Sequence, residues 1–159
     1  MYANRGMYAE EIVNRTIDYL INSNCLIEKR NIPIKIVKDL NNNLVMGKLL
    51  SKSTVDYCGY INHKHIEFEV KQTNQPNFST DMIKPHQYEY LLKSERAGSI
   101  AFVIVYFSLF DEFYLLQIRW IDNYVKTNEK KTIKYEAIKQ ECQLLPIVYP
   151  GIINLAEKI

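Results

Sequence analysis

The run Ile66-Glu67-Phe68-Glu69-Val70-Lys71 places two acids and a lysine at alternate positions. In an extended strand, Glu67, Glu69 and Lys71 share one face, while Ile66, Phe68 and Val70 line the other and turn toward a core. Charges on a half-buried strand must be paired, exposed or functional, because an isolated buried charge is costly. Asp56 opens the preceding extended run and can reach the same end of a sheet. Two carboxylates converging there would bind Mg²⁺, a hard cation that keeps waters for a phosphate substrate. Such an ion lowers the pKa of bound water and polarises a phosphodiester. Lys71 would add positive charge where negative charge develops in the transition state. A bare Glu-x-Lys is far more often a solvated strand carrying an ion pair. The upstream Asp56 and the surrounding α/β pattern favour chemistry.

These residues need a scaffold. From Ala9, the residues Ile12, Val13, Ile17, Leu20 and Ile21 recur at helical spacing, predicting an amphipathic helix that ends near 22–24 and shows Glu10, Asn14 and Asp18 on its polar face. A short strand over Cys25–Glu28 follows, then Pro33 and an extended run Ile34–Lys38. Asn41, Asn42 and Asn43 signal a turn into Leu44–Leu50, completing a hairpin. From Lys29 to Lys52 six cations face the single acid Asp39, so the hairpin is basic. It reads equally as an arm projecting from the core and as an edge hairpin with solvating lysines. Tyr57–Ile61 and His65–Lys71 form antiparallel strands around a turn at 62–64. After Pro76, Asp81 is the expected N-cap of a helix with Pro85 early in it, running through Tyr88, Leu91 and Leu92 to Gly98. Ile100–Phe107 reads as a strand covered on both faces, and Phe113–Ile118 as its neighbour. Beyond Trp120 the pattern predicts a helix from Asp122, another over Tyr135–Gln140, and a tail with no assignment. The expectation is an α/β/α sandwich with a central mixed sheet and a projecting β-hairpin arm at about 34–50.

With 159 residues, 47% of them hydrophobic and 24% charged, the chain fits one compact domain over 1–159. A net charge of +2 is too mild to argue for nucleic acid on its own. Cys25, Cys58 and Cys142 are odd in number and lack CxxC spacing, which fits a reducing cytoplasm without a disulfide framework or thiolate zinc site. No apolar export segment is read at the N-terminus, and Asp111 and Glu112 interrupt the apolar stretch 100–116, so no membrane span is expected. His63 and His65 could pair on a metal, but a turn explains them better. Lys126, Lys130, Lys131 and Lys134 alternate with Glu129 and Glu136 as a solvated face.

Asp, a short gap and then Glu-x-Lys is similar to the PD-(D/E)xK nuclease signature, with Val55 in place of its proline. Within that superfamily, Ser53-Thr54-Val55-Asp56-Tyr57-Cys58-Gly59 followed by Ile66–Thr73 resembles the core of the RecU Holliday-junction resolvases. Asn4-Arg5-Gly6-Met7 with Glu10, the pair His86-Gln87, and Gly98–Ile104 extend the resemblance in order to about Leu116. It implies a restriction-endonuclease-like fold and a homodimer that nicks opposed strands of four-way junction DNA with Mg²⁺ or Mn²⁺, in recombination and repair. It implies Asp56 and Glu69 as metal ligands, Lys71 as the catalytic lysine and Glu10 as a supporting acid. Glu67 stands where the family carries an acid, with no fixed role, and Gln87 reads equally as a residue supporting the site from behind and as a glutamine on the helix surface. Lys35, Lys38, Lys48 and Arg5 would contact DNA, and recombinase and branch-migration proteins would be partners. The family's β stalk falls on Ile34–Leu50, shorter here, and the polar N-terminal tail often seen in the family is missing. Two rivals remain: a related nuclease acting on another DNA structure, and a non-catalytic DNA-binding recombination modulator. Retention of Asp56, Glu69 and Lys71 together argues against the second.

Overall fold

Alternating side chains on one long strand organise the molecule, which is described from a computed structural model over residues 7–21, 23–40, 44–51 and 54–159. In chain order the helices and strands are α1 (Met7–Leu20), β1 (Cys25–Lys29), β2 (Ile34–Asp39), β3 (Val45–Leu49), β4 (Tyr57–Ile61), β5 (Lys64–Thr73), β6 (Asn77–Ser79), α2 (Pro85–Arg96), β7 (Ile100–Phe107), β8 (Glu112–Gln117), α3 (Ile118–Asn128), β9 (Thr132–Lys134), α4 (Tyr135–Glu141), β10 (Gln143–Leu145), β11 (Ile147–Val148) and β12 (Ile152–Ile153). A six-stranded sheet runs β1-β4-β5-β7-β8-β10. Among the described residues only β5 and β7 pair in parallel, with α2 as the crossover between them. The sheet is therefore mixed, as expected.

Two apolar layers cover it. On one face Ile66, Phe68 and Val70 of β5 meet Ala9, Ile12 and Val13 of α1. There Phe68 stacks between Tyr57 and Phe102, with ring centroids 4.8 and 4.9 Å away. On the other face Ala101, Val103 and Val105 of β7 pack with Leu91 of α2, Ile121 of α3 and Ile138 of α4. Burial from both sides explains why β7 reads as a continuous apolar run. Gly59 lets β4 approach β1: a Cβ there would stand 1.9 Å from the Leu26 carbonyl oxygen. The β2–β3 hairpin stands outside the sheet, and both its strands are exposed from end to end. Its expected turn residues Asn41, Asn42 and Asn43, with Asn22, Lys52, Ser53 and the motif Asn4-Arg5-Gly6, lie outside the described residues.

Three expectations need correction. Asp81 is not the N-cap of α2; it sits in a short 3₁₀ turn, Thr80–Met82, and Lys84 occupies the cap. The cause is Pro85, which drives the residue before it into extended backbone and so sets the helix start. Helix α3 begins at Ile118 rather than Asp122, because Ile118 and Ile121 are both fully buried one turn apart. The unassigned tail is structured: β10 extends the sheet beside β8, and the β11–β12 hairpin seals α1, where the Ile153 amide donates to Thr16 Oγ1 at 3.0 Å. Among the described residues no helix is long and apolar enough to cross a membrane.

Candidate active site

Glu69 lies on the face of β5 that looks toward α2, and it is almost wholly buried, at 1% exposure. Its Oε1 accepts from Lys71 Nζ at 2.6 Å and from Gln87 Nε2 at 2.7 Å. Its Oε2 accepts from the Asp56 backbone N–H at 3.1 Å. The alternation of β5 puts Glu69 and Lys71 side by side, the antiparallel entry into β4 delivers Asp56, and the first turn of α2 delivers Gln87. Gln87 is itself held, since its Oε1 accepts the Lys84 N–H at 3.1 Å. These residues border a cleft of about 540 Å³ together with Glu10 and Lys84. At the cleft edge, Glu10 pairs with Lys29 at 2.6 Å.

The electrostatics describe one converging acidic centre. Burial pushes the Glu69 carboxyl up to about 7, the nearby Asp56 carboxylate adds to the rise, and Lys71 opposes it. Tyr57 beneath the site is raised first by burial and then by Glu10, Asp56 and Glu69 acting together. A cation placed among these carboxylates would relieve both effects, and the carboxylate and amide oxygens of the cleft are hard donors suited to a Mg²⁺-like ion. Among the described residues no three His, Cys, Asp or Glu side chains close on one point.

Glu67, the other acid on this face, turns away from that centre. Its Oε1 accepts from Arg30 Nη2 and from the Tyr90 hydroxyl, both at 2.9 Å, while Oε2 is buried without a partner among the described residues. Lys35, Lys38 and Lys48 ride on the exposed hairpin, away from the cleft. Arg5 lies outside the described residues. His65 Nδ1 meets Ser99 Oγ at 2.8 Å, and His63 occupies the β4–β5 turn with a positive φ. Sequence reasoning missed Arg30, Lys84 and Tyr90. Arg30 and Lys84 could have been found only as cations flanking elements that converge, and Tyr90 carries no local signal.

A sequence profile of the family described as RecU, Recombination protein U, matches residues 4–159. The chain is similar to the Holliday junction resolvase RecU of Ureaplasma parvum serovar 3, with 31% identity over 98% of this chain and 92% of the relative. It is 35% identical to that of Mycoplasmopsis pulmonis, over 95% and 90% of the two chains, and 37% identical to that of Bacillus cereus, over 93% and 79%. Among solved structures, the Holliday junction resolvase Hjc of Archaeoglobus fulgidus superposes with a TM-score of 0.54 at 14% identity, covering 96% of this chain and 98% of that one. That likeness shows a shared fold.

Proposed function

The chain belongs to the RecU family, and from that premise we propose that it is a divalent-metal-dependent endonuclease that resolves Holliday junctions by paired nicks in opposed strands. One observation carries the reading: Asp56, Glu69, Lys71 and Gln87 meet in a single cleft, with Glu69 accepting hydrogen bonds from all three of the others. Mg²⁺, with Mn²⁺ as a substitute, would be held by Asp56 and Glu69 and would supply an activated water and charge neutralisation at the phosphate. Lys71, which lines the cleft, would set its amino group against the reacting phosphate as that gains negative charge. Gln87 and the Asp56 amide fix the Glu69 carboxylate, so it need not reorganise as the reaction proceeds. Glu10 draws Lys29 toward the cleft mouth and anchors α1 beside it. The four-way junction is the substrate, a second copy of the chain is the partner that makes cuts pairwise, and residues 1–159 act as one nuclease domain. Incubation with Mg²⁺ and sequence-matched junction, duplex and single-stranded DNA tests this. Symmetric nicks confined to the junction are expected, and equal cutting of all three substrates would replace the reading with that of a general nuclease.

A further inference from the structure

A second cleft, about 590 Å³, adjoins the first and shares Asp56, Lys84 and Gln87 with it. Its walls differ from those of the metal centre. Lys29, Arg30, Lys84 and His86 bring basic side chains to it, while Ile32, Leu49 and Pro85 give an apolar side. Ile32 and Leu49 sit at the base of the hairpin, closed there by the Leu50 N–H donating to the Pro33 carbonyl at 2.9 Å.

Arg30 is the built element of this cleft. Glu67 Oε1 accepts from its Nη2 at 2.9 Å, Thr54 Oγ1 accepts from its Nη1, and the guanidinium lies over the Tyr90 ring at 5.2 Å. Tyr90 donates its own hydroxyl to the same Glu67 oxygen, so acid and ring hold the guanidinium as one unit. The Arg30 backbone N–H is tied to the Asp56 carbonyl at 2.7 Å, which fixes its distance from the catalytic acid. Its side chain remains 27% exposed, enough to present an edge to a ligand. Glu67 is 4% exposed and leaves Oε2 unpartnered among the described residues, a costly arrangement for a carboxylate. A merely structural role would be served as well by an apolar side chain; an oriented guanidinium would not.

Resting on the reading of the protein as a junction endonuclease, we propose that this second cleft holds the nucleotide adjoining the scissile phosphate. Its phosphate lies on Arg30, and its sugar and base lie against Ile32, Leu49 and Pro85. A planar guanidinium suits a phosphate bidentately, and a mixed cationic and apolar wall suits a nucleotide better than a bare phosphate. The two clefts meet at Asp56, so one strand threads both and places the phosphate between them at the acids. Glu67 and Tyr90 are positioning residues, acting through Arg30.

The test walks a single methylphosphonate, which removes one backbone charge, along one strand of a four-way junction and measures binding by fluorescence anisotropy in EDTA. Wild type should lose at least about tenfold in affinity at one position beside the cut. Arg30→Ala should bind weaker by a similar factor and be indifferent to the modification there. Glu67→Gln should show a reduced response at that position alone, an effect that general loss of structure would not mimic. Arg30→Lys, which keeps the charge, should regain part of the response and guards against a misfolded Ala variant. An abasic site at the same nucleotide should weaken wild type but not a variant carrying Ile32→Ala and Leu49→Ala. Persistence of the position-specific loss in Arg30→Ala, or its absence in wild type, overturns the proposal. Cleavage of the unmodified junction with Mg²⁺ is scored separately. A wild type that binds with this signature but does not cut would overturn the proposed function and leave the subsite standing.

Discussion

Glu69 is held by three hydrogen bonds and pushed up to about 7 by burial and by Asp56. Its replacement should separate chemistry from binding. Asp56→Asn or Glu69→Gln should abolish Mg²⁺-dependent nicking while junction affinity in EDTA stays close to that of wild type, since DNA is held mostly through phosphates elsewhere. Lys71→Ala should lower the single-turnover rate by roughly 10²-fold or more, the usual loss for a well-placed electrostatic stabiliser. The raised carboxyl also marks stability. An acid whose folded value lies above its unfolded 4.5 binds its proton more tightly in the folded chain, so stability falls as pH rises from about 4.5 through about 7. With chelator present, the wild type should therefore lose more melting temperature between pH 5 and pH 8 than Glu69→Gln does. Mg²⁺ at pH 8 should raise the melting temperature of the wild type alone. Calorimetric scans of both proteins check each step. As candidates, Glu69 and Lys71 were legible because β-strand alternation is a local rule, and Asp56 because it stands at the entry to the preceding strand. Arg30 and Tyr90 were not, because their meaning arises from a partner, Glu67, that is 37 and 23 residues away.

Elements inherit their positions from single residues. Gly59→Ala would drive a methyl group into the Leu26 carbonyl, 1.9 Å away, and part β1 from β4. Urea titration should find it less stable by at least about 2 kcal/mol, with the loss spreading to Arg30 at the end of β1. The hairpin has a different test. If Lys35, Lys38 and Lys48 contact phosphates, Ala at all three should weaken junction binding, and each lost contact should reduce the slope of log affinity against log salt by about 0.9. An unchanged slope would return the hairpin to a solvated edge. Strands β4, β5 and β7 were readable because apolar periodicity and turn residues agree there. The start of α3 was not, because Ile118 reads equally well as the end of a strand and as the first turn of a helix. The tail was hidden because β10, β11 and β12 are three residues or fewer and gain their form only from β8 and α1.

At the scale of the molecule, one metal centre cuts one strand, whereas resolving a four-way junction needs two opposed cuts. A closed two-fold dimer is the economical arrangement. Exposed apolar residues concentrate on the hairpin, among them Ile34, Ile36, Val37, Leu44, Val45 and Met46. A patch of that kind calls for cover by a partner surface of at least about 1,000 Å². Sedimentation equilibrium across a concentration series should return the mass of two chains. A strict monomer that still makes coordinated paired nicks would refute the symmetry argument. The seal between β12 and α1 has a consequence in time. Helix α1, which carries Glu10 and donates the Ala9 N–H to Gln72 beside the acids, closes against Ile152, Ile153 and Leu155. Ile153 leaves the ribosome 137 positions after Thr16, so α1 waits for residues made much later before it can lock. A nascent chain can complete its central strands long before that moment, yet the wall bearing Glu10 stays unlatched until synthesis passes Leu155.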